Sequence, residues 1–476
     1  MAKERLKFPV NSNDAEKIIA SLESFKSKDL DWKTGKSFSY IYYAEDDILQ
    51  VLKEAYTTYF SENALNPSAF PSLRKLEQEV VQMCLDLFQA SEEGVGIMTS
   101  GGTESILMAV KAAKEYTKLN RPNVKHPEII LPKSVHPAFN KACDYFSITP
   151  RIVPISEDYR VDLAEVEAAI NENTILLVGS APQYPQGVVD PISELGQIAI
   201  KNDLLLHVDA CVGGFVLPFI KENSRPKFDF SVPGVSSLSA DIHKYGYASK
   251  GCSVVLYNNP ALRKAQFYVY TDWPGGIYAS PSILGTRAGG SIAVAWSVLQ
   301  YLGRSRYEEL VEKKMELTKA FIEFIESFED LYVVGKPEMC IFSFSSKTLN
   351  VYELGDEMYL KGWLMDRQQN PPSLHISISP NHAHYMEQFK EDFRASMKKI
   401  KGIGAQKVSN AAQRIINLGM HKILPKKTYE KLQNAVISKS DPEDKRSAAM
   451  YGMIGDLRGK GDLENLVRAY LDKLLS

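Results

Sequence analysis

Lys244 follows His243 in the run SLSADIHKYGYASKGCSVVLY (237–257), between a small, polar apolar-edged stretch and an aromatic-glycine turn. A lysine in a buried setting loses protons easily and becomes a nucleophilic amine able to form a Schiff base. His243 offers a ring N–H to a phosphate, and Lys250, just before Gly251, is a second cation expected on the same cleft. Asp209 ends the apolar run LLLHVDA (204–210), where a carboxylate is costly unless paired. A protonated ring nitrogen is one such partner. SGGTES (100–105) links a short apolar run to the helical segment ESILMAVKAAKEY. Small residues there allow a tight turn, and the first helical N–H groups of Ser100, Gly101, Gly102 and Thr103 point outward as an anion site. Each feature alone has an ordinary reading: a strand-to-helix turn with Thr103 as N-cap, a surface carboxylate, a solvated lysine.

Together they are the handles that pyridoxal 5′-phosphate requires: a phosphate cradle, a pyridinium partner and a Schiff-base lysine thirty-five residues beyond it. Neither the GxGxxG nor the GxxxxGKS spacing is present, so nicotinamide-binding and P-loop readings are not licensed. His375, His382 and His384 cluster near one strand end, but HAH without an acidic partner reads as structural, and no metal is expected.

These residues need a scaffold. Apolar runs at 95–100, 128–132, 174–180, 204–210, 237–241 and 252–257 alternate with helical stretches. That pattern implies an α/β fold with a mostly parallel, helix-covered sheet, whose ligands gather at the carboxyl ends of the strands. Amphipathic segments at 46–60 and 74–90 precede it, and the helix 289–303 closes it. After residue 310 a strong helix (311–328) and strands at 339–346 and 374–380 read as a smaller α+β domain, with a helical tail from about 405. The expected division is an arm and helix over 1–60, a large cofactor domain over 61–310 and a small domain over 311–476.

The chain has 476 residues, with 56 Lys+Arg against 58 Asp+Glu and a formal net charge of −2. No basic excess suggests nucleic acid as a partner. Five scattered cysteines without a CxxC pair point to reduced thiols. The N-terminus MAKERLKFPV has no apolar signal region, and no run approaches the ~18 apolar residues of a membrane span. The expected location is cytoplasmic, with secretion into a host cell as an alternative the sequence leaves open.

The blocks SGGTES, HVDA and HK resemble the pyridoxal-phosphate decarboxylase group of the aspartate-aminotransferase-like fold (fold type I). MTSGGTESILMAVKAAKEY, SAPQYPQGVVDPI, HVDACVGGFVLPF, DIHKYGYASKGCSVVLY and GGIYASPSILGTRAGGS are most similar to its sphingosine-1-phosphate lyase branch of soluble, bacterial type. The likeness runs from about residue 36 to the C-terminal AAMYGM and YLDKLL.

The resemblance implies a pyridoxal-phosphate-dependent aldehyde-lyase that cleaves phosphorylated long-chain bases at C2–C3, giving a long-chain aldehyde and phosphoethanolamine. It makes Lys244 the Schiff-base lysine, Asp209 the pyridine partner and His136 the residue stacked on the ring. Gly102, Thr103, His243 and Ser239 join the cofactor-binding set. Gly285 and Thr286 reach the phosphate from the partner subunit, which implies a homodimer with its active site at the subunit interface. Lys250 faces the substrate phosphate, and Tyr184 and a tyrosine of SYIYY (Tyr42, with Tyr40 and Tyr43 as alternatives) bind substrate. Asn66 stands where eukaryotic lyases of this branch carry a histidine; it donates a hydrogen bond but brings no charge. The base acting on the C3 hydroxyl is left open among Lys250, Lys244, a tyrosine and the substrate phosphate. The rival reading is an L-amino acid decarboxylase of glutamate or tyrosine type, and a second is a non-catalytic binder of the same fold.

Overall fold

The computed structural model describes residues 6–27, 29–402 and five positions between 464 and 472. The AAMYGM block and the expected tail from 405 lie outside the described residues, apart from those five positions.

A seven-stranded sheet forms the centre: β1 (Val95–Thr99), β2 (Glu128–Pro132), β3 (Thr149–Val153), β4 (Thr174–Ser180), β5 (Leu205–Asp209), β6 (Val235–Ala240) and β7 (Ser253–Tyr257), in spatial order β1-β7-β6-β5-β4-β2-β3. β2 to β6 pair in parallel, whereas β7 runs antiparallel to both of its neighbours. The continuous apolar runs have the expected physical cause: β2, β4, β6 and β7 are buried at every position, with helices on both faces. β3 is the strand that the sequence pattern missed. Its TPRIV sequence is exposed at four of five residues, because it lies at the sheet edge and needs no apolar run.

The antiparallel β7 has a consequence for the site. Its amino end lies at the same sheet edge as the carboxyl ends of β1, β4, β5 and β6. Ser100, Asp209, Asp241 and the Lys250 turn are therefore brought to one rim from distant parts of the chain.

Helix Gly102–Asn120 starts at that rim and buries Ile106, Leu107, Val110 and Ala113 against the sheet. The helical segment Gly289–Glu326 kinks at Gly303, whose backbone is non-helical, and its second part runs on past position 310. A short exposed hairpin of β8 (Tyr268–Tyr270) and β9 (Tyr278–Ser280) precedes it.

The C-terminal part is an antiparallel sheet of β10 (Leu331–Val333), β11 (Ile341–Ser346), β12 (Asp366–Gln369) and β13 (Pro372–Ser377), in order β10-β11-β13-β12. Helices Val351–Leu360 and Met386–Ile400 flank it. Phe38, Phe321, Trp363, Phe389 and Phe393 meet with ring centroids 5.0–5.9 Å apart, so the N-terminal arm is anchored on this half of the molecule. By contrast, helix Ala15–Lys26 buries none of its residues.

Candidate active site

A cavity of about 340 Å³ opens at the rim, lined by Ser100, Gly101, Gly102, Thr103, His136, Tyr184, Asp209, Asp241, His243 and Lys244. One chain thus brings together most of the residues singled out from sequence.

The cradle differs in one detail from expectation. Gly101, not Thr103, is the N-cap, with φ 157°, and no side chain caps the helix. The reason is space. A Cβ on Gly102 would lie 2.8 Å from Asp241 Oδ2 and 2.8 Å from Cys211 Sγ, and one on Gly101 would press on His243. The turn admits no bulk, and the first N–H groups of the helix stay free for an anion. Glu104 braces the turn from behind: Oε2 accepts the Ser100 N–H at 2.7 Å, and Oε1 accepts the Ile283 N–H at 2.8 Å.

Asp209 is buried at the end of β5 and accepts the Cys211 N–H at 3.0 Å. Ser239 does not line the cavity. It sits behind Asp209, donating to its Oδ1 at 3.4 Å while contacting His207 Nε2 at 3.1 Å. Burial holds the His207 ring down to about 4, so it is a neutral strut. His136 Nδ1 accepts the Ala138 N–H at 3.1 Å, which leaves its ring proton on Nε2 at the cavity wall. His243 Nδ1 likewise accepts the Cys252 N–H at 3.3 Å. Burial, with Lys250 and Lys244 assisting against the opposing pull of Asp241, lowers His243 to about 4, so it presents a neutral Nε2–H.

Lys244 corrects an expectation. Its Nζ lies 3.0 Å from Asp241 Oδ2. Burial alone would lower the ammonium, but the Asp241 charge outweighs it and raises Lys244 above the ordinary lysine range. Asp241 resists its own burial in the same way, held below the usual carboxylate range by Lys244 and His243. Sequence reasoning missed Asp241, although its position three residues before Lys244 in DIHK was a usable signal. Without a bound partner the lysine is therefore a protonated, paired group and not a free amine.

Lys250 sits beside this cavity, with its Nζ 5.2 Å from the ring centre of Tyr42. Burial and the neighbouring Lys244 lower its ammonium. Tyr42 is the tyrosine of SYIYY that packs here, edge-on to Tyr245 at 4.7 Å; burial pushes its hydroxyl up to about 12. Tyr43 packs on Trp32 instead, and Tyr40, at a left-handed φ of 69°, turns to Asp366.

Asn66, Gly285 and Thr286 are not brought to this cavity within one chain. Asn66 accepts the Ser68 N–H at 2.9 Å and lines a separate groove of about 710 Å³ with Arg74, Glu77 and Arg287. Thr286 donates to Asn63 at 3.2 Å. The three histidines near β13 have no shared focus: His375 Nε2 meets the Tyr184 carbonyl at 3.0 Å, and His382 Nε2 meets the Ser37 carbonyl at 3.0 Å. Among the described residues no cluster of metal-ligating side chains occurs.

The cavity's donor set fits pyridoxal phosphate: bare helical N–H groups and a neutral histidine for the phosphate, a buried carboxylate, and a lysine with its proton acceptor alongside. Residues 1–347 match the pyridoxal-dependent decarboxylase conserved domain. The chain is 41% identical to the sphingosine-1-phosphate lyase of Oryza sativa over 394 residues, 81% of this chain and 73% of the relative. The chain belongs to this family, in its sphingosine-1-phosphate lyase branch.

The solved structure of the Burkholderia pseudomallei sphingosine-1-phosphate lyase superposes with a TM-score of 0.80 at 32% identity, covering 87% of this chain and 97% of the other. Glutamate decarboxylase of Lactobacillus brevis, at 19% identity and a TM-score of 0.74 over 84% of this chain and 96% of the other, shares the fold. The fold is therefore that of the fold type I pyridoxal enzymes, and the protein is a pyridoxal-phosphate-dependent lyase. No helix among the described residues is long and apolar enough to cross a membrane.

Proposed function

We propose that this enzyme cleaves phosphorylated long-chain bases at C2–C3 to a long-chain aldehyde and phosphoethanolamine. The observation that supports this best is the second cation. Lys250 stands beside Lys244 at the cavity's edge, on the face of Tyr42, where an amine-bearing substrate would place its phosphate. The lyase relatives at about 40% identity support the same substrate class.

Lys244 would carry the cofactor, Gly102, Thr103 and His243 its phosphate, Asp209 its ring nitrogen, and His136 one ring face. When bound, pyridoxal phosphate supplies the carbon that takes the substrate amine and the protonated ring that accepts the electron pair released at C2. Asp241, 3.0 Å from the Lys244 ammonium, would hold the lysine oriented toward the cofactor, and Lys244, when not bonded to the cofactor, would be placed to give a proton to C2. Lys250 and Tyr42 hold the substrate phosphate.

The working unit is proposed to be a homodimer. The β8–β9 hairpin and the loop after it expose Tyr268, Val269, Trp273, Ile277, Ile283 and Leu284, an apolar surface that a second copy would cover. This is the segment that carries Gly285 and Thr286, and the same contact would bring Asn66 toward the neighbouring substrate site. Five free, buried cysteines suit a reducing, cytoplasmic setting.

The test is a product assay on the purified, visibly absorbing holoenzyme with sphingosine 1-phosphate. Long-chain aldehyde found by mass spectrometry is the expected result. Carbon dioxide released from L-glutamate or L-tyrosine, with no aldehyde from the phosphorylated base, would overturn the reading in favour of a decarboxylase.

A further inference from the structure

Tyr184 lines the cavity, yet its hydroxyl is not aimed at a cation. It donates to Asp366 Oδ2 at 2.8 Å. Asp366 begins β12 in the C-terminal sheet, and its other oxygen accepts from Tyr40 Oη at 2.9 Å and Ser39 Oγ at 3.3 Å. One carboxylate from the distant half of the chain therefore gathers hydroxyls from the N-terminal arm and from the loop after β4.

The Tyr184 ring is fixed from its other side. It stacks on His375 at 4.1 Å, while His375 Nε2 meets the Tyr184 carbonyl at 3.0 Å. His375 stands opposite Asp366 in the register of β12 and β13, so the carboxylate and the stacking ring sit on adjacent strands. Arg367, next in the chain, turns away to Asp356 at 2.6 Å. Burial, then Asp366, raises the Tyr184 hydroxyl above the ordinary tyrosine range, so the phenol keeps its proton. With its own hydrogen committed to Asp366, the Tyr184 oxygen has lone pairs left for a donor in the cavity.

We propose that Tyr184 and Asp366 form the proton relay for the C3 hydroxyl, which answers the question of the base under the lyase reading proposed above. The substrate O3–H proton passes to Tyr184 Oη as Tyr184's own proton passes to Asp366 Oδ2. The O3–H electron pair becomes the second bond of the aldehyde C=O. The C2–C3 pair stays with C2, which is protonated later. The phenol is neutral before and after, as its environment demands, and Asp366 ends protonated until product leaves. Asp366 acts through Tyr184 and is a positioning residue. Its hydroxyl partners Ser39 and Tyr40 keep the carboxylate oriented.

The test compares Asp366→Asn, Tyr184→Phe and the double variant as holoenzymes. Two measurements are made: cleavage kinetics, and binding of a phosphorylated base that lacks the C3 hydroxyl, followed through the cofactor's absorbance. The relay predicts that kcat falls about 10²-fold or more in each single variant. KM and the affinity for the deoxy compound should stay within about 3-fold, and the double variant should be no worse than the poorer single one, because two parts of one relay are not additive. An Asp366→Asn enzyme with near wild-type kcat overturns the relay, as does a double variant that loses the product of both effects. Weakened deoxy-compound binding with intact kcat also overturns it and assigns the pair to substrate binding. Failure of the lyase reading is a separate outcome: the wild-type enzyme itself then makes no aldehyde.

Discussion

The cofactor cavity and the groove that holds Asn66 are lined by separate sets of residues and are built in opposite ways. The charged and ring groups of the cavity are held from within the chain, while the first helical N–H groups are left open. Asp209 is tied to Cys211, His136 to Ala138, His243 to Cys252 and Lys244 to Asp241. The groove is wider and open, and the segment beside it exposes Trp273, Ile277 and Ile283. Glu104 joins the two regions, with one oxygen on the cradle and the other on the loop that leads to Gly285. The difference teaches that one chain assembles the cavity from its own residues, and under the proposed dimer the outer groove is the part a second copy would complete.

Loss of Lys244 should break the cavity half most completely. Lys244→Ala is expected to abolish the visible cofactor absorbance and to lower turnover by at least about 10³-fold, as removal of a covalent catalyst does. Retention of both would refute its role. Lys250→Ala should instead keep the absorbance while catalytic efficiency on the phosphorylated base falls by about 10²-fold, in line with a lost charge-assisted contact of 1.5–3 kcal/mol; unchanged kinetics would remove Lys250 from the substrate site. On the groove side, Ile277→Asp is expected to shift the protein toward monomer in sedimentation and to lower activity with it, while the isolated chain keeps its fold. A dimer unaffected by this change would place the interface elsewhere.

Smaller effects probe the joint between the regions. Glu104→Gln removes the charge from three backbone contacts at a buried site and should cost about 1–3 kcal/mol, read as a lowered melting temperature. The fold should also be acid-sensitive, since burial holds His207 and His243 down to about 4 and does the same to His375 and His382 in the C-terminal part. His207 titrates near 4 when folded and near 6.5 when unfolded, so the unfolded chain binds the extra proton between those values. Stability is full above pH 6.5 and declines as pH falls toward 4, on the order of 1–2 kcal/mol between pH 6.5 and 5. A melting temperature flat across that range would show that His207 is not held neutral.

The cofactor half was legible because its residues stand at ends of strongly patterned elements. Apolar runs marked β1, β2, β4, β5, β6 and β7, and the chemistry sits at or within four residues of their ends: Ser100 directly after β1, Asp209 as the last residue of β5, Lys244 four residues after β6. Legibility failed where position depended on packing across the chain. Asp241 was overlooked because its importance lies in its distance to Lys244. Tyr40, Tyr42 and Tyr43 could not be told apart, since the left-handed backbone at Tyr40 breaks the alternation that would have sorted them. Asp366 carried no signal at all; it lies 182 residues from Tyr184.

By itself the sequence marked six of the seven central strands and the small-residue turn, and it singled out Lys244 as the lysine proposed to carry the cofactor, because strand burial and tight turns are local demands written in adjacent residues. Tertiary structure alone decided the protonation of those residues and what stands behind them. Lys244 is held charged by a carboxylate against its burial, and Tyr184 is held neutral by one from another sheet. A group's proton affinity follows from the charges within a few ångströms of it, and which charges those are is settled only when the chain has closed on itself.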